Sequence, residues 1–242
     1  MKQIIALGGG GFSMEPDNPL LDQYILRQSA VRTPKVCFIP TASGDAEGYI
    51  QGFEHAFGSH GCIPSHLALS RPPSADLEDY VLDKHIVYVG GGNTELLLTT
   101  WRETGLDCIL RKAWEQGIVL AGLSAGSICW YEQGVSCDDT DRAEAITGLG
   151  LIPGSHSPHY DAEPAYRHGF HELLSTGLIG EGVGVDDGVG IHYAGGQIHQ
   201  VISSRPSTRA YRVESVNGGI RETEMIPAYL GSESQFTRKM EG

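Results

Sequence analysis

The sequence predicts an α/β fold, a mostly parallel, doubly wound sheet flanked by helices, with short extra strands near the C-terminus. Apolar runs in the first half are continuous rather than alternating, which suits strands covered on both faces. Helical stretches separate these runs, and repeated strand-then-helix order builds a parallel sheet. A chain of 242 residues is also long enough to bury one good-sized core.

The elements follow in order. QIIALGG (3–9) reads as the first strand, with a helix over about 18–29 behind it. KVCFIPTA (35–42) is a second strand, followed by a helix over about 46–58 and a shorter strand IPSHLAL (63–69). HIVYVGGG (85–92) and GIVLAGLS (117–124) are two more strands, with helices over about 94–102 and 105–116 between them. The last helix carries Leu106, Ile109, Leu110, Ala113 and Trp114 as its apolar residues, and Gly117 is placed to end it. After about residue 180, GVGVDDGVGIHYAGGQIHQVISS and TRAYRVES read as short strands with glycine turns, arranged as antiparallel hairpins at one sheet edge. No repeat or low-complexity linker divides the chain, so one domain is expected over 1–242, with a polar tail from about 231.

Composition narrows the partners. Seventeen basic against thirty acidic residues give a net charge of −13, which disfavours nucleic acid and anionic membranes. No apolar run approaches the length of a membrane span, and MKQIIALGGGGF is too short in its apolar part for a signal peptide. The five cysteines are scattered and lack C-x-x-C spacing, which fits buried thiols in a reducing cytoplasm better than disulfides or zinc.

Chemistry concentrates in a few motifs. Gly122-Leu123-Ser124-Ala125-Gly126 fits G-x-S-x-G, the pattern of a strand-turn-helix nucleophile elbow. A serine hydroxyl there needs a base within hydrogen-bond reach. Of the ten histidines, His159 stands out because it follows a proline in a loop after GLGLIPG, where a side chain can project into a cleft; His156 and His192 are alternatives. Asp186 and Asp187 lie at the end of an apolar stretch, where a carboxylate must be paired or hydrogen-bonded, and either suits an orienting acid. VYVGGGNTELLL (87–98) ends a strand in three glycines, with Asn93-Thr94 able to cap the next helix. Its backbone N–H groups would point into the crevice at the carboxyl edge of the sheet. LGGGGFS (7–13) is a poor dinucleotide fingerprint, because Ser13 stands where the third glycine belongs. A turn that lets backbone approach the cleft is the better reading. The order Ser, His, acid differs from the Ser, acid, His of α/β-hydrolases.

Together VGGGNT (89–94), AGLSAGSICW (121–130), SPHYD (157–161) and VDDG (185–188) resemble the serine peptidases that include dipeptidase E and cyanophycinase. The likeness is greatest to the peptidase E-like branch and runs through most of the first 200 residues. The resemblance implies a fold like that of class I glutamine amidotransferases, with serine in place of cysteine at the elbow. It implies Ser124 as nucleophile, His159 as general base, and the N–H groups of Gly92 and Ala125 as oxyanion hole. The acid falls on Asp187 where the family has glutamate; being one methylene shorter, it requires a closer backbone or a share taken by Asp186. Gly91, Asn93, Tyr160 and Arg167 are the expected substrate contacts. Arg167 lies next to Tyr166, which holds the position of the family's aspartyl-binding arginine, so a requirement for N-terminal aspartate is left open. The expected activity is exopeptidase cleavage of short peptides through an acyl-enzyme, with no metal or organic cofactor. The alternatives are isopeptide or ester hydrolysis, or an inactive small-molecule binder on the same scaffold. A short peptide is the expected partner, without nucleic acid or membrane, and a homodimer is left open.

Overall fold

The computed structural model describes residues 1–72, 76–138, 140 and 142–232. Most of the polar tail expected from about 231 therefore lies outside the described residues. In chain order the elements begin with β1 (Gln3–Leu7), α1 (Gly11–Met14), α2 (Leu20–Leu26), β2 (Lys35–Ile39), α3 (Glu47–Gly58) and β3 (Ile63–His66). They continue with α4 (Leu77–Leu82), β4 (Ile86–Val89), α5 (Thr94–Thr104), α6 (Leu106–Glu115), β5 (Val119–Leu123) and α7 (Ala125–Ile128). The second half holds β6 (Tyr131–Cys137), β7 (Ala143–Thr147), β8 (Ile152–Ser157), α8 (Pro164–Ser175), β9 (Gly182–Val185) and β10 (Val189–Ala194). Last come β11 (Gln197–Ser203), β12 (Ala210–Val216), β13 (Gly219–Met225) and β14 (Ala228–Tyr229).

Among the described residues these strands form an eight-stranded sheet in the order β14-β11-β10-β1-β5-β4-β2-β3. A six-stranded sheet has the order β13-β12-β9-β8-β6-β7. The five strands read from the first half are parallel neighbours, with Ile4 opposite Leu120 and Val89 opposite Gly122. Their continuous apolar runs have the expected cause. Ile4, Ala6, Ile39, Val87 and Leu120 pack in one core cluster, while Ile5, Leu7, Phe38, Tyr88 and Ala121 pack in another. Alternate residues thus serve the two faces.

The late strands differ from a simple edge addition. β10 and β11 do extend the first sheet as an antiparallel pair beside β1. β9, β12 and β13 instead join β6, β7 and β8 in the second sheet, which the sequence reading did not anticipate. The same core cluster runs on into that sheet through Tyr131, Ile152, Val183 and Val185. Helix α4, also unanticipated, starts where the Asp76 carboxylate accepts from the N–H groups of Glu78 and Asp79 at 2.9 and 3.2 Å. No helix among the described residues is long and apolar enough to cross a membrane.

The frame buries a carboxylate on α2. Asp22 is 1% exposed and accepts from the Tyr88 hydroxyl at 3.3 Å. Burial pushes it up to about 7 from an ordinary 3.8. Between those values the folded state holds a proton that the unfolded state has released, so stability falls as pH rises through the window. Asp22→Asn keeps an acceptor for Tyr88 and removes the ionisation. It should raise Tm at pH 8 by an amount corresponding to a few kcal/mol, at ~1.4 kcal/mol per pKa unit. At about pH 3, below the ordinary carboxylate value, the same variant should melt close to the parent. An equal shift at both pH values would contradict the assignment.

Candidate active site

Ser124 sits at the turn from β5 into α7 with φ 54° and ψ −121°, a conformation that costs a non-glycine residue about 1–3 kcal/mol. Its neighbours show how the turn is made. A Cβ on Gly122 would overlap the Gly126 carbonyl oxygen, and one on Gly126 would overlap that of Val89. Both glycines of the motif are there because backbone meets backbone. The Ser124 N–H donates to the Leu7 carbonyl at 3.3 Å, which ties the elbow to the first strand.

His159 also has a positive φ, 51°, in the loop after β8, and is 7% exposed. Its Nε2 lies 2.9 Å from Ser124 Oγ, and its Nδ1 lies 2.7 Å from Asp187 Oδ1. With Nδ1–H donated to the carboxylate, Nε2 can accept the serine proton. A base within hydrogen-bond reach of the hydroxyl and an acid behind it can activate the serine as a nucleophile.

The first glycine run brings the acid into reach. Gly9 pairs with Asp187 as an isolated bridge, and the Gly188 N–H donates to the Gly9 carbonyl at 3.1 Å. A Cβ on Gly9 would overlap Asp187 Oδ1 and lie 3.1 Å from His159 Cε1. The Asp187 N–H is held by Asp161 Oδ1 at 2.8 Å. The shorter aspartate therefore reaches His159 because the backbone comes close. Asp186 is oriented otherwise: its Oδ2 accepts from the Arg209 N–H at 2.7 Å, and burial pushes its carboxyl up to about 6.

The turn after β4 lies beside the nucleophile. A Cβ on Gly91 would be 3.2 Å from Ser124 Cβ. Gly92 is exposed, has φ 136°, and a Cβ there would overlap the Ala42 carbonyl. Ala125 is the first residue of α7, where backbone N–H groups have no partner within the helix. Of the expected substrate contacts, the Gly91 N–H donates to the Tyr49 hydroxyl at 3.2 Å, and Asn93 Oδ1 caps α5 through the Leu96 N–H at 2.8 Å. Tyr160 is 1% exposed, and its hydroxyl meets Glu222 at 2.6 Å and His171 at 2.9 Å. Arg167 holds the same Glu222 with both Nε and Nη2. Its guanidinium also lies over the Tyr160 and Tyr211 rings, 4.9 and 5.2 Å from their centroids.

Tyr49 and Glu222 were missed by sequence reasoning, and no local motif marks them; Asp161 closes the SPHYD motif, but its hold on the Asp187 N–H was not read. Of the alternative bases, His192 accepts from Tyr24 at Nδ1 (2.8 Å) and donates to Gln3 from Nε2 (3.0 Å). His156 lies against Ser127 at 2.8 Å. No group of three or more His, Cys, Asp or Glu side chains among the described residues is arranged to hold a metal ion.

The model of peptidase family S51 matches residues 4–201. Over 231 residues the chain is 51% identical to "Uncharacterized peptidase YgaJ" of Bacillus subtilis, covering 96% of this chain and all of that one. It is 30% identical over 137 residues to "Peptidase E" of Streptomyces coelicolor, covering 55% of each. The fold is similar to the crystal structure of a peptidase from an acI-B1 actinobacterium, with TM-score 0.69, 20% identity, and 94% and 95% of the two chains covered.

Proposed function

The chain belongs to peptidase family S51, a serine-type peptidase, and from that premise we propose that it is an exopeptidase cleaving short peptides through an acyl-enzyme on Ser124. The observation that carries this reading is the continuous line from Ser124 Oγ through His159 to Asp187, at 2.9 and 2.7 Å. In the first half-reaction Ser124 Oγ attacks the scissile carbonyl while His159 Nε2 takes its proton. Asp187 stabilises the resulting imidazolium and holds the ring in place. The N–H groups of Gly92 and Ala125 receive the oxyanion, a contribution of about 3–4 kcal/mol per donor. His159 then passes the proton to the leaving amine, and a water activated by the same nitrogen releases the acyl group.

The resemblance to aspartyl dipeptidases raises the question of an acidic first residue. Arg167, the nearest candidate to read one, is already neutralised by Glu222, whose carboxylate is held below its usual range by Arg167, Tyr160 and His171 against a burial penalty that raises it. Wild type should therefore show no strong preference for Asp-X over Ala-X dipeptides. Arg167→Ala should change that ratio by less than about fivefold, the scale of 1 kcal/mol. A dipeptide library assayed with both proteins tests this. A loss in Arg167→Ala confined to acidic first residues would show that the arginine leaves Glu222 to bind substrate.

A further inference from the structure

The carbonyl oxygen of Ser124 collects three donors. The N–H groups of Ser127 and Ile128 reach it at 2.8 and 3.0 Å, as expected at the start of a helix. The Ser127 hydroxyl is the third, at 2.7 Å. That hydroxyl has one proton, and a carbonyl can only accept, so the proton points to Ser124. Toward His156 the Ser127 oxygen must then accept, and the donor is His156 Nε2–H at 2.8 Å. Within hydrogen-bond geometry His156 Nδ1 has no partner, the nearby Val183 carbonyl included, which leaves it as the unprotonated ring nitrogen. The imidazole is wholly buried and stacks on Tyr131 at 4.6 Å, and the Tyr131 hydroxyl is fixed by Tyr193 at 3.0 Å.

The Ser124 carbonyl and the Ala125 N–H are two ends of one planar trans peptide unit. Fixing the direction of the carbonyl fixes the direction of that N–H. Donors on the carbonyl oxygen also polarise the unit, and chained hydrogen bonds strengthen one another by roughly 10–30% per bond. We propose that His156 and Ser127 are positioning residues for the oxyanion donor, a buried relay from His156 Nε2–H to Ser127 Oγ–H to the Ser124–Ala125 peptide. The inference rests on the serine peptidase reading above and adds to it a second histidine that never touches the substrate.

A relay of this kind separates from a merely structural hydrogen bond in a set of four variants, Ser127→Ala, His156→Gln, His156→Leu and the Ser127→Ala/His156→Leu pair. Each is measured for kcat and KM on a dipeptide, for the rate of labelling by a fluorophosphonate, and for Tm. Ser127→Ala should lower kcat and labelling about 10- to 100-fold, somewhat less than outright loss of an oxyanion donor, with KM nearly unchanged. His156→Gln, which can still donate to Ser127, should keep most of the rate. His156→Leu should lose both rate and Tm. In the paired variant no polar group is left unpartnered, so Tm should recover while kcat stays low.

Recovery of kcat together with Tm in the paired variant would overturn the relay. So would a Ser127→Ala protein with parental kcat, or a loss lying wholly in KM. If His156→Leu does not fold, Ser127→Ala alone still decides, since it removes a single hydroxyl. A wild type that takes no label at Ser124 overturns the peptidase reading and the relay with it. A labelled wild type with unimpaired variants overturns the relay alone.

Discussion

Ser124→Ala will lower kcat on a dipeptide substrate by roughly 10⁴- to 10⁶-fold, and His159→Ala will do nearly as much damage. Both losses follow from one proton transfer, across the 2.9 Å between Ser124 Oγ and His159 Nε2. Because the two residues act as a unit, the double variant should be hardly slower than either single one. Tm of Ser124→Ala should stay close to the parental value, since that side chain supplies no helix cap, whereas His159→Ala should lower Tm because it leaves the buried Asp187 carboxylate without its partner. The other candidate bases cannot take over: His156 is engaged by Ser127, and His192 by Tyr24 and Gln3. Initial rates and melting curves for the three variants test this. Losses that add in the double variant would mean that the serine and histidine act independently.

Gly9→Ala should lower kcat by about 100-fold or more, although Gly9 touches no substrate. An added Cβ overlaps Asp187 Oδ1 and crowds His159 Cε1 at 3.1 Å, so the carboxylate must leave Nδ1 or carry the imidazole with it. Displacing a reacting group by about 1 Å can alone cost 10²-fold. Gly48→Ala is the control. Gly48 lies in α3, and an added Cβ there meets nothing within 4 Å, so kcat should not change. Replacing a helical glycine by alanine should stabilise that helix by up to ~1 kcal/mol. Equal kcat in the two variants would remove Gly9 from the account of the acid.

These two residues show how far the sequence could be read. Strands β1, β2, β4 and β5 were legible because both faces are buried and their apolar runs are unbroken. Strands β6 to β8 were not. β7 carries exposed Glu144 and Ala145, and β8 opens Ile152-Pro153-Gly154, where the Gly154 φ of 83° imitates a turn. The order Ser, His, acid could be read from spaced motifs, since each motif is local. Which of two adjacent aspartates faces His159 could not, because Gly9 admits one and the Arg209 backbone holds the other, and both lie far away in sequence. The same distance hid the partner of Arg167: Glu222 comes from β13, fifty-five positions later and beyond the residues that match the family. Tyr160, one of the expected substrate contacts, is 1% exposed with its hydroxyl on that same carboxylate.

The most direct test of the acyl-enzyme account is the intact mass of the protein after exposure to a fluorophosphonate, with the modified peptide mapped. Wild type should gain one adduct, located on Ser124. Asp187→Ala should gain it more slowly, by roughly the 10⁴-fold by which losing the orienting acid lowers kcat in serine peptidases. Ser124→Ala should gain none. An unmodified wild type, or an adduct that persists in Ser124→Ala, would contradict the assignment of Ser124 as the nucleophile.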